Sequence, residues 1–95
     1  MFTPTIYIIS NFKNGTIYVG VTSNLPKRIY EHKNNIISGF SSKYGCKCLV
    51  YYEIHTNIED AILREKQIKS RSRKYKLNLI ETMNPDWVDL YDSIC

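Results

Sequence analysis

Tyr7 and Tyr18 hold the same place in two short runs of β-branched and aromatic residues, TIYIIS over residues 5–10 and TIYVGV over 16–21. Arg28 and His32 follow four residues apart, next to or within a helical apolar stripe marked by Leu25, Ile29 and Ile36. Glu65 falls inside a second such stripe, made by Ile58, Ala61, Ile62 and Ile68. An ionised carboxylate on an apolar face costs on the order of several kcal/mol unless a metal, an arginine or a hydrogen-bond network partners it. Two phenols, a guanidinium, an imidazole and a carboxylate suit hydrolysis of a phosphodiester. That reaction needs a divalent ion against the phosphate, a cation for the developing charge and a base for water. One carboxylate can suffice for Mg²⁺, which usually keeps several waters, and arginine grips phosphate oxygens as a fork.

These residues need elements to bring them together. Residues 5–10 and 16–21 read as strands, and the intervening NFKNG ends in Asn14-Gly15, a strong hairpin signal. The period of two then puts Ile6, Ile8, Ile17, Val19 and Val21 on one face. Tyr7, Ile9, Tyr18 and Gly20 share the other. Ser23 as N-cap and Pro26 in the first turn predict a helix over about 24–36. Residues 37–46 read as a loop, CLVYYEI (48–54) as a third strand, and Thr56 to Glu59 as a capping box opening a helix to about 70. A further helix is expected over about 73–83, stopping near Asn84-Pro85, with Trp87, Val88 and Leu90 packing the tail back. The order β-β-α-β-α-α gives an α+β class: a small three-stranded antiparallel sheet flanked by helices.

A 95-residue chain is expected to form a single domain, 1–95. No apolar run nears the roughly 20 residues that cross a bilayer and no leader pattern opens the chain, so the expectation is a cytoplasmic protein that makes no membrane contact. Cys46, Cys48 and Cys95 lack the spacing of a zinc knuckle or redox pair and read as free thiols. Residues 1–76 hold all 13 Lys and Arg against five acids, a net +8, which favours a polyanionic partner. Lys66, Lys69, Arg71, Arg73, Lys74 and Lys76 read either as a non-specific phosphate track or as a solvated helix surface. Tyr44, Tyr51, Tyr52 and Tyr75 read mainly as packing residues, with stacking on bases as the alternative.

Four elements in order carry a resemblance. They are Thr5-Ile6-Tyr7, then Tyr18-Val19-Gly20 after ten intervening residues, then the segment from Ser23 to His32, and Ala61 to Lys69 around Glu65. Together they resemble the GIY-YIG nuclease family. Leu49 to Glu53, Leu79 to Glu81 and Asn84 to Trp87 are similar to its small stand-alone bacterial endonuclease-type members. The resemblance implies a metal-dependent DNA endonuclease, RNA being left open as substrate; the 95-residue length sets the expectation of little sequence specificity, and a monomer or weak dimer is expected. It implies Tyr18 as general base or water positioner, Tyr7 as its support, Arg28 as phosphate clamp, and Glu65 as ligand of one Mg²⁺ or Mn²⁺. His32 would be an alternative base or phosphate ligand, and Gly20 would keep the sheet face open to a phosphate. The alternative is a catalytically weak nucleic-acid-binding module of the same fold. Departures from the family pattern are Thr5 in place of Gly, and Val21 where some members carry Lys. Lys27, Lys43 or His32 would then have to compensate, and Lys76 or Asn78 would complete the site.

Overall fold

The computed structural model describes residues 3–95. Strand β1 (Thr5–Ser10) is flanked by β2 (Ile17–Thr22) and β3 (Cys48–Ile54) in an antiparallel sheet of order β2-β1-β3. As the central strand, β1 is buried along its whole length, which suits its unbroken apolar and β-branched run. The hairpin register pairs Tyr7 with Gly20 and Ile9 with Tyr18. The face parity expected from the period of two therefore holds. Asn14 takes a positive φ of 61° in the turn, and Asn11 Oδ1 accepts from the Phe12 and Thr16 amides at 2.8 and 2.9 Å. Pairing with β3 shifts register between Ile8 and Ile9. Val50 is left without a partner there, as in a β-bulge.

The sheet separates two clusters. On one face Ile6, Ile8, Val19, Val50 and Tyr51 pack against Ala61 and Ile68 of α3 (Ile58–Ser70), Ile80 of α4 (Arg73–Met83), and Trp87. On the other, Tyr7, Ile9 and Leu49 meet Leu25 and Ile29 of α1 (Leu25–Lys33), and Cys46. Two short helices complete the chain: α2 (Phe40–Lys43), inside the segment expected to be loop, and α5 (Tyr91–Ile94). The C-terminal segment closes the free edge of β3, since Leu90 N–H donates to the Leu49 carbonyl at 2.8 Å and Leu49 N–H to Asp89 Oδ1 at 3.1 Å. Asn84 Nδ2 fixes it further by donating to the carbonyls of Val50 and Val88 at 3.2 and 2.7 Å.

Helix boundaries correct several expectations. Asn24, not Ser23, caps α1, because its side chain stands one residue closer and accepts from Lys27 N–H at 3.3 Å. The helix stops at Lys33, and Asn35 adopts φ 56° while Ile36 N–H reaches back to the Glu31 carbonyl at 2.9 Å. That is a Schellman ending with asparagine in the left-handed position, and it leaves Ile36 exposed rather than in the stripe. The cap of α3 is Asn57 accepting from Asp60 N–H at 2.9 Å, one residue beyond the expected Thr56. Ile58 and Ile62 are exposed, so the buried stripe of α3 narrows to Ala61 and Ile68, and Val88 is exposed rather than packing the tail back.

Arg64 locks α3 to its surroundings. Its Nε and Nη2 donate to the two Glu53 oxygens at 3.0 and 3.1 Å, and Nη1 donates to Tyr75 Oη at 3.2 Å. Being held on that side, α3 turns the next residue, Glu65, about 100° away around the helix.

Candidate active site

Gly20 lies under the Tyr7 ring. A Cβ built on Gly20 would stand 2.4 Å from both Cζ and Oη of Tyr7. The space is therefore filled by the phenol, which corrects the expectation that Gly20 leaves the face open to a phosphate. Gly20→Ala is expected to cost about 1–3 kcal/mol of stability through overpacking, read as a lower urea midpoint at unchanged slope.

The Tyr7 hydroxyl is paired with His32 Nε2 at 2.9 Å, and His32 Nδ1 with Ser41 Oγ at 3.1 Å. All three side chains are buried. A neutral imidazole has one N–H and one lone pair, so the two bonds are linked. Either Tyr7 donates to Nε2 and Nδ1–H donates to Ser41, or Ser41 donates to Nδ1 and Nε2–H donates to the phenol oxygen. The second state leaves the Tyr7 proton free for a ligand. Burial, with the Arg28 charge adding to it, lowers the His32 pKa below its ordinary 6.5, while Glu31 opposes. Burial likewise raises the Tyr7 pKa above 10.0, against the pull of Arg28 and with Tyr18 and Glu65 adding to the rise. Tyr7 thus stays protonated and His32 neutral at physiological pH. Since the unfolded imidazole takes up a proton near pH 6.5 and the folded one only at lower pH, stability is lost as pH falls below about 6.5. Urea midpoints taken from about pH 7.5 down to about pH 5 should fall for the wild type and fall less for His32→Gln.

Tyr18 is half-buried, its ring centroid 5.9 Å from that of His32. Lys69 Nζ stands 5.6 Å over the Tyr18 ring and 3.2 Å from Glu65 Oε2. Although α3 packs its apolar side on the far face of the sheet, Glu65 and Lys69 therefore come round the outer edge of β2 to the tyrosine side. The Glu65 side chain is 15% exposed and that of Lys69 47%. The partner of the carboxylate is thus an exposed ammonium of the same helix, not a buried guanidinium. Arg28 is close enough to Tyr7 for its charge to act on the phenol, and its Nε is 3.4 Å from Glu31 Oε1. It lines a pocket of about 240 Å³ with Thr22, Ser23, Asn24, Lys27 and Glu31.

No trio of His, Cys, Asp or Glu able to hold a metal exists among the described residues. The donor set is one carboxylate beside two tyrosines, which fits a single hard, largely hydrated divalent ion rather than a soft transition metal.

A family model for the GIY-YIG catalytic domain matches residues 3–78. The chain belongs to the GIY-YIG family. Relatives include a UPF0213 protein, CPE1444, of Clostridium perfringens, 38% identical over 77 residues that make up 81% of this chain and 82% of that one. A UPF0213 protein of Syntrophus aciditrophicus is 36% identical, covering 85% and 92%. The UPF0213 protein in the VLF1-GP41 intergenic region of Autographa californica nuclear polyhedrosis virus is 35% identical, covering 80% and 74%. The solution NMR structure of UPF0213 protein BH0048 from Bacillus halodurans shares the fold, with a TM-score of 0.57 at 24% identity and 92% of each chain covered.

Within this GIY-YIG domain the two departures have local explanations. Thr5 is buried and its hydroxyl donates to the Thr3 carbonyl at 2.7 Å. Val21 packs on the α3 side of the sheet, and the cation beside Tyr18 is Lys69 instead. Several cations of the expected phosphate track also make contacts within the protein. Arg73 Nη2 donates to the Asn14 and Gly15 carbonyls at 2.9 and 2.6 Å, so it braces the hairpin turn. Arg71 stacks on Tyr75 with 4.5 Å from Cζ to the ring centroid, and Lys76 Nζ donates to the Lys69 carbonyl at 3.4 Å. Lys66, Lys74 and Asn78 are exposed, and Lys43 Nζ lies 5.6 Å over the Tyr44 ring. Ser41 and the site position of Lys69 were not legible from spacing. Ser41 sits in an irregular segment, while the four-residue step from Glu65 to Lys69 was a signal that the basic run concealed.

Proposed function

We propose that residues 1–95 act as one metal-dependent endonuclease domain that hydrolyses DNA phosphodiester bonds by attack of an activated water, with little sequence specificity. The observation that carries this reading is a half-exposed tyrosine, Tyr18, over whose ring stands the Lys69 ammonium of the Glu65 ion pair, on the sheet face that also carries Tyr7. Glu65 would hold Mg²⁺ or Mn²⁺, exchanging its Lys69 partner for the ion. Once bound, the ion supplies positive charge against the phosphate oxygens. Tyr18 orients the attacking water and serves as its general base, with the Lys69 ammonium near the ring to offset negative charge. Tyr7, held protonated and oriented through His32, supports Tyr18 by hydrogen bonding. Arg28 spans two phosphate oxygens with its guanidinium fork. The water oxygen forms its bond to phosphorus as the ester P–O bond breaks, and the departing alkoxide takes a proton from solvent.

Nicking of supercoiled plasmid by purified protein with Mg²⁺ or Mn²⁺, and its loss on chelation, tests the reading. The Glu65–Lys69 ion pair favours a second one, a nucleic-acid-binding module in which that carboxylate is only a structural partner. Salt-sensitive DNA binding with no nicking under any divalent ion would select it.

A further inference from the structure

Three aromatic rings run in line from the candidate active site into solvent. The Tyr18 and Phe40 rings are stacked, with centroids 6.4 Å apart and planes at 26°, and Phe40 and Tyr44 follow at 4.7 Å and 44°. Phe40 is 50% exposed and Tyr44 44%, so neither ring is used up by the core. Phe40 opens α2 and Tyr44 caps its end, and Gly39 and Gly45, at φ 120° and 66°, set this turn off from the chain on either side. Ser41 and Cys46 hold this turn against the body, through the His32 contact at 3.1 Å and a Cys46 N–H to Ser41 carbonyl bond at 2.8 Å. An ammonium stands at each end of the row, Lys69 by Tyr18 and Lys43 by Tyr44, each 5.6 Å from its ring centroid.

Single exposed apolar side chains are ordinary on protein surfaces. Two adjoining ones continuous with a site tyrosine, with cations at both ends, match a particular ligand. A nucleobase offers a flat π face of any sequence, and the phosphates on either side of it meet the lysines. A paired base is already covered by its neighbours and must leave its stack before it can reach such a ring. We infer that Phe40 and Tyr44 form, with Tyr18, a stacking platform for an unpaired base next to the cleaved phosphate, so that the preferred substrates are single-stranded or locally unpaired DNA. This rests on the nuclease reading for which strand is cut, but not for the stacking itself.

The probe is an oligonucleotide carrying 2-aminopurine, whose fluorescence falls when the base stacks. It is offered as single strand, as an unpaired flap and as duplex to the full chain bearing Glu65→Gln, which binds without cutting. The expected result is quenching with the strand and flap and none with the duplex. Phe40→Ala and Tyr44→Ala should each weaken single-strand binding on the order of tenfold while duplex binding stays unchanged, and Phe40→Trp should retain it. Both side chains are half exposed, so circular dichroism should match the parent for every variant. Absence of quenching, or equal losses on strand and duplex, would overturn the platform. Quenching by a chain whose wild type cuts nothing would keep the platform and remove the nuclease reading. Plasmid nicking without quenching would do the reverse.

Discussion

Glu65→Gln is expected to reduce metal-dependent plasmid nicking by about 10²–10⁴-fold, since in the proposed mechanism this carboxylate holds the ion and a divalent cation supplies several kcal/mol to a phosphoryl transition state. Glutamine keeps the shape and removes the charge. The native partner, Lys69, is an exposed residue one helical turn away, a pairing worth only a few tenths of a kcal/mol. Fold and thermal midpoint should therefore be nearly unchanged, and DNA affinity measured in chelator should hold or rise slightly as a negative charge leaves the surface. A loss of nicking matched by a loss of folded protein would assign Glu65 to structure instead. Band intensities over a time course, beside a thermal melt of each protein, decide between the two.

Arg28→Ala should lower the rate by about 10²–10³-fold, the usual cost of losing one donor aimed at developing oxyanion charge. The side chain is only half covered, and its Nε–Glu31 contact at 3.4 Å leaves the terminal nitrogens for phosphate. Arg28→Lys separates charge from shape. It keeps the cation but loses the planar fork, so a recovery of only part of the rate is expected. Arg28 also lowers the His32 pKa and pulls that of Tyr7 down. Removing it should therefore raise the pH at which His32 titrates, visible as a shift in the midpoint of its imidazole NMR resonances. Equal rates for Arg28→Ala and wild type would show that the guanidinium only decorates α1.

Much of this arrangement is written locally in the chain. The period of two along TIYIIS and TIYVGV, with the Asn14-Gly15 turn setting the register, is enough to place Tyr7 and Tyr18 on one face. Helix ends were harder. Ser23 and Asn24 are both good caps, as are Thr56 and Asn57, and a single residue of chain path chooses between them. Asn35 stopping α1 in a left-handed turn cannot be told from an ordinary polar residue without its backbone angle. Glu65 stood out as a charge in an apolar stripe, yet its surroundings depend on α3 lying at the margin of the sheet, a tertiary fact. Ser41 and Phe40 were invisible for the same reason, since α2 has no periodicity of its own and gains its meaning from His32 and Tyr18. Among the described residues no helix is long and apolar enough to cross a membrane.

The account stands on an acid from one side of the sheet reaching phenols on the other around the β2 edge. Titrating Mn²⁺ into ¹⁵N-labelled protein measures this directly, because the ion broadens resonances of nuclei near it. Broadening should concentrate at Glu65, Lys69, Tyr18 and Gly20 and vanish in Glu65→Gln. Broadening centred elsewhere, or unchanged by that substitution, would contradict it.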